Sequence, residues 1–290
     1  MKVSQALIIL SLLVVSGHSL ASIKGKNVIY GLDNRIDPYA SKDSVMVELS
    51  RSTAAMIDDS KLTTANGQVT LTGRFLRDKG ICQDQHFSNQ LTVASCSGFI
   101  ISDKYLVTAG HCIRNQNDCD TYKWVFDYKL DHADQTSITV PESSVYSCKK
   151  IISTTLDYTN NNDYALIELD RSVTDRRPLS FRRSGKIEKD TPIAVIGHPT
   201  GLPTKIADGA TVRSLQGQYF TANLDTFSGN SGSAVLNMIT HEVEGILVRG
   251  DTDYVYDAAK GCQVSKVCSD IGCRGEDATY ITNVPGISGL

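Results

Sequence analysis

The sequence predicts an all-β fold, and three observations carry that expectation. Its apolar stretches are short, as in Lys205-Ile206, Ala210-Val212, Gln218-Ala222, Ala234-Leu236 and Val243-Val248. Gly, Pro, Asn and Asp interrupt them at close intervals, as in chains of many short strands. No stretch sustains the period of an amphipathic helix. The pattern runs on both sides of a polar segment, residues 171–190, which reads as a linker between residues 28–170 and 191–290. Arg176-Arg177 and Arg182-Arg183 lie in it and read as solvated linker charge, with an exposed proteolytic cleavage site as the weaker reading.

From the N-terminus, the first unit is residues 1–21. Lys2, an apolar run from Ala6 to Val15 and the small-x-small site Ser19-Leu-Ala21 read as a secretory signal peptide. The run is too short for an ordinary membrane-spanning helix, and no later segment is long enough for one. The expected product is secreted or periplasmic. Removing Lys2 leaves 28 basic against 32 acidic residues, a formal charge of −4. That balance lacks the concentrated basic face that nucleic acid requires.

Eight cysteines follow, at 82, 96, 112, 119, 148, 262, 268 and 273. An even count in an exported chain predicts disulfides. Zinc is the weaker reading, because no pair has Cys-x2-Cys spacing and no histidine pair is near; the expectation is no metal and no cofactor.

The apolar runs Phe99-Ile-Ile101 and Tyr105-Leu-Val107 flank Ser102-Asp-Lys104 and predict a hairpin. A turn centred on Lys104 sets Cys96 opposite Cys112, close enough for a disulfide that would pin the intervening His111. Pairing Cys119 with Cys148 is the next expectation; Cys82, Cys262, Cys268 and Cys273 stay unassigned.

Farther on, Asn161-Asn-Asp-Tyr-Ala-Leu-Ile-Glu-Leu169 places Asp163 just before an apolar strand. Asp157 competes with it but lacks a directly following strand, and either residue could serve only as a turn former. In Asn223-Leu-Asp-Thr-Phe-Ser-Gly-Asn-Ser-Gly-Ser-Ala-Val235, Ser231 is flanked by Gly229 and Gly232. Gly, Asn and Ser also make ordinary turns. The same arrangement would present a serine nucleophile and aim the N–H groups of Gly229 and Ser231 at an oxyanion.

Thr108-Ala-Gly-His111-Cys, Asp163-Tyr-Ala-Leu-Ile and Gly229-Asn-Ser231-Gly-Ser resemble, in order, the histidine, aspartate and serine motifs of chymotrypsin-fold (trypsin-like) serine proteases. Asn230 before the serine, and Ile196-Gly-His-Pro-Thr-Gly201, are similar to the bacterial glutamyl-endopeptidase-like branch. The resemblance runs from about Val28 to Val284. It implies two six-stranded antiparallel β-barrels with an active site in the cleft between them, and a serine endopeptidase using His111, Asp163 and Ser231. The partner would be a protein or peptide substrate, with no nucleic acid, no membrane and a monomeric chain. Lys26-Asn27-Val28-Ile29 resembles the start of mature enzymes of that branch, which makes residues 22–27 a short propeptide. Asn230 has no charge to pair with a new N-terminus, so trypsin-type activation is not expected.

The resemblance also places a substrate pocket. Asp225 stands six residues before Ser231, where trypsin-like enzymes carry their pocket aspartate, and would favour Lys or Arg before the scissile bond; Arg249 could instead neutralise it. Thr226 and Gly250 are the other expected substrate contacts, Gly250 through backbone pairing. Leu247 stands where the glutamyl branch has a histidine, which argues against glutamate specificity. Asp277 to Val284 resembles the last pocket strand, and the segment carrying Cys262, Cys268 and Cys273 reads as an insertion at the pocket rim. His198 and His241 read as surface or strand histidines, His86 and His132 carry no signal, and Trp124 reads as core. A secreted binding or effector protein that retains the fold without the activity is the rival reading. An esterase is disfavoured because no Gly-x-Ser-x-Gly elbow is present.

Overall fold

The computed structural model describes residues 29–290; the expected signal peptide and residues 22–27 lie outside the described residues. Twelve strands form two closed antiparallel barrels of six. The first contains β1 (Thr53–Asp58), β2 (Cys96–Ile100), β3 (Tyr105–Thr108), β4 (Tyr122–Val125), β5 (Val145–Asp157) and β6 (Asn162–Leu169). Around that barrel they run β4-β5-β6-β3-β2-β1, and β1 closes on β4. The second contains β7 (Pro192–Gly197), β8 (Lys205–Leu215), β9 (Tyr219–Ala222), β10 (Ala234–Asn237), β11 (Val243–Arg249) and β12 (Glu276–Tyr280). Their order is β7-β10-β11-β12-β9-β8, with β8 returning to β7.

Closure removes the exposed edges of both sheets, and side chains fill the interiors. Trp124, Phe99, Ile100, Leu106 and Val107 are fully buried in the first. Val212, Phe220, Leu224, Val235 and Ala278 are fully buried in the second. The β2–β3 hairpin pairs Phe99 with Val107 and Ile100 with Leu106, so it is centred on Asp103 rather than Lys104. Cys112 still reaches Cys96, at a Cα separation of 6.3 Å, because the chain turns beyond Thr108 instead of continuing the ladder. The remaining disulfides are Cys119–Cys148, Cys82–Cys262 and Cys268–Cys273.

The start of the described chain belongs spatially to the second barrel. Ile29–Tyr30 runs parallel to Val267–Cys268, and Arg35–Ile36 pairs with β8. Next to this seam, Lys205 and Asp37 form an ion pair at 2.5 Å with both side chains almost fully buried. Burial pushes the Lys205 ammonium down to about 8 against the attraction of Asp37. Removing one partner leaves the other charge buried without compensation. Asp37→Ala is therefore expected to destabilise the protein by about 3–5 kcal/mol in urea unfolding; a loss below about 1 kcal/mol would show that water reaches Lys205.

Candidate active site

His111 lies in the turn that leaves β3, and Asp163 lies near the start of β6, beside it. The Asp163 carboxylate is 2% exposed and uses both oxygens on one residue. Oδ1 accepts the His111 backbone N–H at 3.1 Å, and Oδ2 lies 2.8 Å from His111 Nδ1. The contact fixes the ring's orientation and leaves Nε2 as the nitrogen available to other groups. Gly110 makes the approach possible: a Cβ there would overlap Thr155 O and lie 2.7 Å from Tyr164 O. The Cys96–Cys112 disulfide anchors the far side of the turn. Although Cys96, His111 and Cys112 cluster at ligand-like distances, the two sulfurs are bonded to each other and offer no thiolate to a metal.

Ser231 sits on the loop between β9 and β10, in the second barrel. Residues of β2 in the first barrel hold this loop. Ser97 N–H donates to Ser231 O at 2.8 Å, and Ser97 Oγ donates to Gly229 O at 2.8 Å. Gly229 has φ +97°, and a Cβ there would come within 2.6 Å of His198 O, so a side chain is excluded at this position. Neighbouring N–H groups are used: Asn230 donates to Phe227 O, Gly232 to Leu247 O and Ser233 to Asn230 O. The N–H groups of Gly229 and Ser231 have no acceptor among the described residues, leaving two free donors on the Ser231 loop. Asn230 is buried, and its Oδ1 accepts Ser233 Oγ at 3.3 Å.

A cavity of about 290 Å³ opens beside Ser231. Thr226, Leu247, Gly250, Asp253 and Glu276 line it, among them Thr226 and Gly250, the two residues expected to contact substrate. Asp225 is not among the lining residues. Its Oδ1 accepts Tyr30 N–H at 2.7 Å and its Oδ2 accepts Asn34 N–H at 2.9 Å. This corrects its reading as the pocket charge: the carboxyl ties down the N-terminal segment. Burial pushes it up to about 6, against those two donors. Nor does Arg249 neutralise it, because Arg249 Nε lies 3.1 Å from Asp277 Oδ2.

Glu276, the first residue of β12, was not singled out in the sequence. It is 3% exposed, accepts Thr226 Oγ1 at 2.6 Å and Asp251 N at 3.1 Å, and burial pushes it up to about 8. The only signal was its place one position before the expected pocket strand. His198 is also more enclosed than expected: it is fully buried, donates N–H to Ser97 Oγ at 3.0 Å, and burial pushes its imidazole down to about 3.

The model of the trypsin-like peptidase domain family matches residues 96–246, more than half of the 290-residue chain. Among solved structures, the chain is similar to a Glu endopeptidase in complex with MPD. The identity is 17%, over 88% of this chain and 95% of that one, with a TM-score of 0.46. It is also similar to the Vibrio cholerae VesB protease, at 14% identity over 87% of this chain, with a TM-score of 0.50. It spans 64% of the VesB protease chain, and at that identity the likeness is one of fold.

Glu276 also makes stability depend on pH. Its ordinary value of 4.5 rises to about 8 on folding, so the folded protein keeps a proton that the unfolded chain has lost. The stabilisation is complete below about pH 4.5 and is lost as pH rises toward 8. Asp253 raises it further and Arg274 lowers it through their charges, while the Asp251 backbone N–H and the Thr226 hydroxyl lower it as hydrogen-bond donors. Urea unfolding is expected to show wild type losing stability relative to Glu276→Gln between about pH 5 and pH 8. A constant difference across that range would contradict the burial argument.

Proposed function

The chain belongs to the trypsin-like peptidase family, and from that premise we propose that it is an exported serine endopeptidase acting through an acyl-enzyme. The observation that carries the reading is the buried Asp163 carboxylate gripping both the backbone N–H and Nδ1 of His111. An aspartate placed so holds one imidazole tautomer and stabilises the imidazolium formed during reaction.

Each step has a residue to perform it. Ser231 Oγ attacks the scissile carbonyl carbon as its proton passes to His111 Nε2, and the Gly229 and Ser231 N–H groups receive the oxyanion. Collapse breaks the C–N bond, and the imidazolium proton goes to the departing amine. Water, deprotonated by the same imidazole, then releases the acid and restores Ser231. Four disulfides among the described residues support an extracytoplasmic location, and no helix among them is long and apolar enough to cross a membrane.

Ser231→Ala is expected to lower peptidase kcat by about 10⁶-fold, and Asp163→Asn by about 10⁴-fold, each with the circular dichroism spectrum unchanged. Wild-type turnover of a mixed peptide library by folded Ser231→Ala would remove the acyl-enzyme reading.

A further inference from the structure

The cavity beside Ser231 is unusual in its charge. Three lining side chains, Asp251, Asp253 and Glu276, are carboxyl groups, and one, Arg249, is a cation. Arg249 is committed elsewhere, with Nε on Asp277 and Nη2 donating to Asn161 O at 3.0 Å. Arg274 also pairs with Asp277, and Lys266 pairs with Asp251 at 2.6 Å. Among the described residues no cation makes an ion pair with Glu276, the most buried of the three. Its two polar contacts are a neutral hydroxyl and a backbone N–H.

Glu276 is also placed to reach a ligand. Its head lies directly beneath Gly250, where a Cβ would overlap the carboxyl group. The missing side chain at Gly250 is what leaves room for the carboxyl at the cavity wall. The volume of about 290 Å³ is enough to admit one long side chain.

We propose that Glu276 is the specificity-determining carboxylate of this cavity, receiving the side chain of a Lys or Arg residue that precedes the scissile bond, with Asp253 supplying further negative charge. The assignment rests on the serine-endopeptidase reading and deepens it. An acidic side chain would enter a site with three carboxyl groups and no free cation. An apolar one would bury Glu276 further while giving it no partner. A guanidinium or ammonium supplies donors that both Glu276 oxygens can still accept, and its charge draws the proton off the buried carboxyl and leaves it ionised in the complex. Burial raises Asp253 as well as Glu276, so a bound cation relieves both.

The test uses the full mature protein and peptides that differ only at the residue before the scissile bond: Arg, citrulline, Gln, Glu or Phe. Citrulline keeps the shape of arginine without its charge. The Arg peptide is expected to have a kcat/KM at least about 100-fold above the citrulline peptide, and Glu276→Gln to reduce that ratio below about fivefold. Wild type is also titrated with benzamidine and benzamide, so that the result does not depend on the folding of the variant. Benzamidine is expected to inhibit at least about tenfold more tightly. Equal use of Arg and citrulline, preference for Glu or Phe, or equal inhibition by amidine and amide overturns the assignment and leaves the endopeptidase reading intact. Cleavage of none of the peptides, with Ser231 unreactive, contradicts that reading and the assignment with it.

Discussion

The fully buried Ser97 holds the two halves of the candidate site in register. Its hydroxyl accepts His198 N–H at 3.0 Å and donates to Gly229 O at 2.8 Å. Its backbone N–H donates to Ser231 O at 2.8 Å, and its carbonyl accepts Thr108 Oγ1 at 2.7 Å. One residue of the first barrel thereby ties together the Ser231 loop, the turn after β7 and the strand that leads to His111. These contacts join the two barrels at the site itself, and an acyl-enzyme reaction would depend on geometry fixed before the substrate arrives.

Close backbone approach is the second constraint. Gly110 lets the His111 turn lie against β5 and β6, and Gly232, at φ +87°, fits against Ser97 and Thr108 where a Cβ would collide. Gly197 does the same for the Asn230 and Ser233 side chains. Of the three, Gly232 is the one that packs from the second barrel onto the first. The cavity beside Ser231 forms on the second barrel, where β11, β12 and the Ser231 loop converge.

The sequence revealed the parts of this arrangement that are encoded locally. His111 and Asp163 each sit in a short motif beside an apolar strand, and Ser231 sits between glycines, so all three were legible as candidates without knowledge of distant contacts. The all-β class was visible for the same reason, since strand length and turn residues are local properties. Asp225 misled because spacing from Ser231 says nothing about which way a carboxyl faces. Its partners, Tyr30 and Asn34, come from the far end of the chain. Glu276 was overlooked because its environment is assembled from Thr226, Gly250 and Asp251. Ser97 carried no motif of its own, and its importance arises only when the barrels pack. The β2–β3 hairpin shifted by one residue because a turn can centre on Asp103 as readily as on Lys104, and the disulfide does not enforce the ladder's register.

The central claim is that the His111–Asp163 pair activates Ser231 as a nucleophile. Purified mature protein would be treated with an arylsulfonyl fluoride, and the adduct located by intact mass and peptide mapping, alongside His111→Ala. The account expects a single adduct on Ser231 that forms in wild type and not in His111→Ala. No adduct, an adduct on another residue, or undiminished modification of Ser231 in His111→Ala would contradict it.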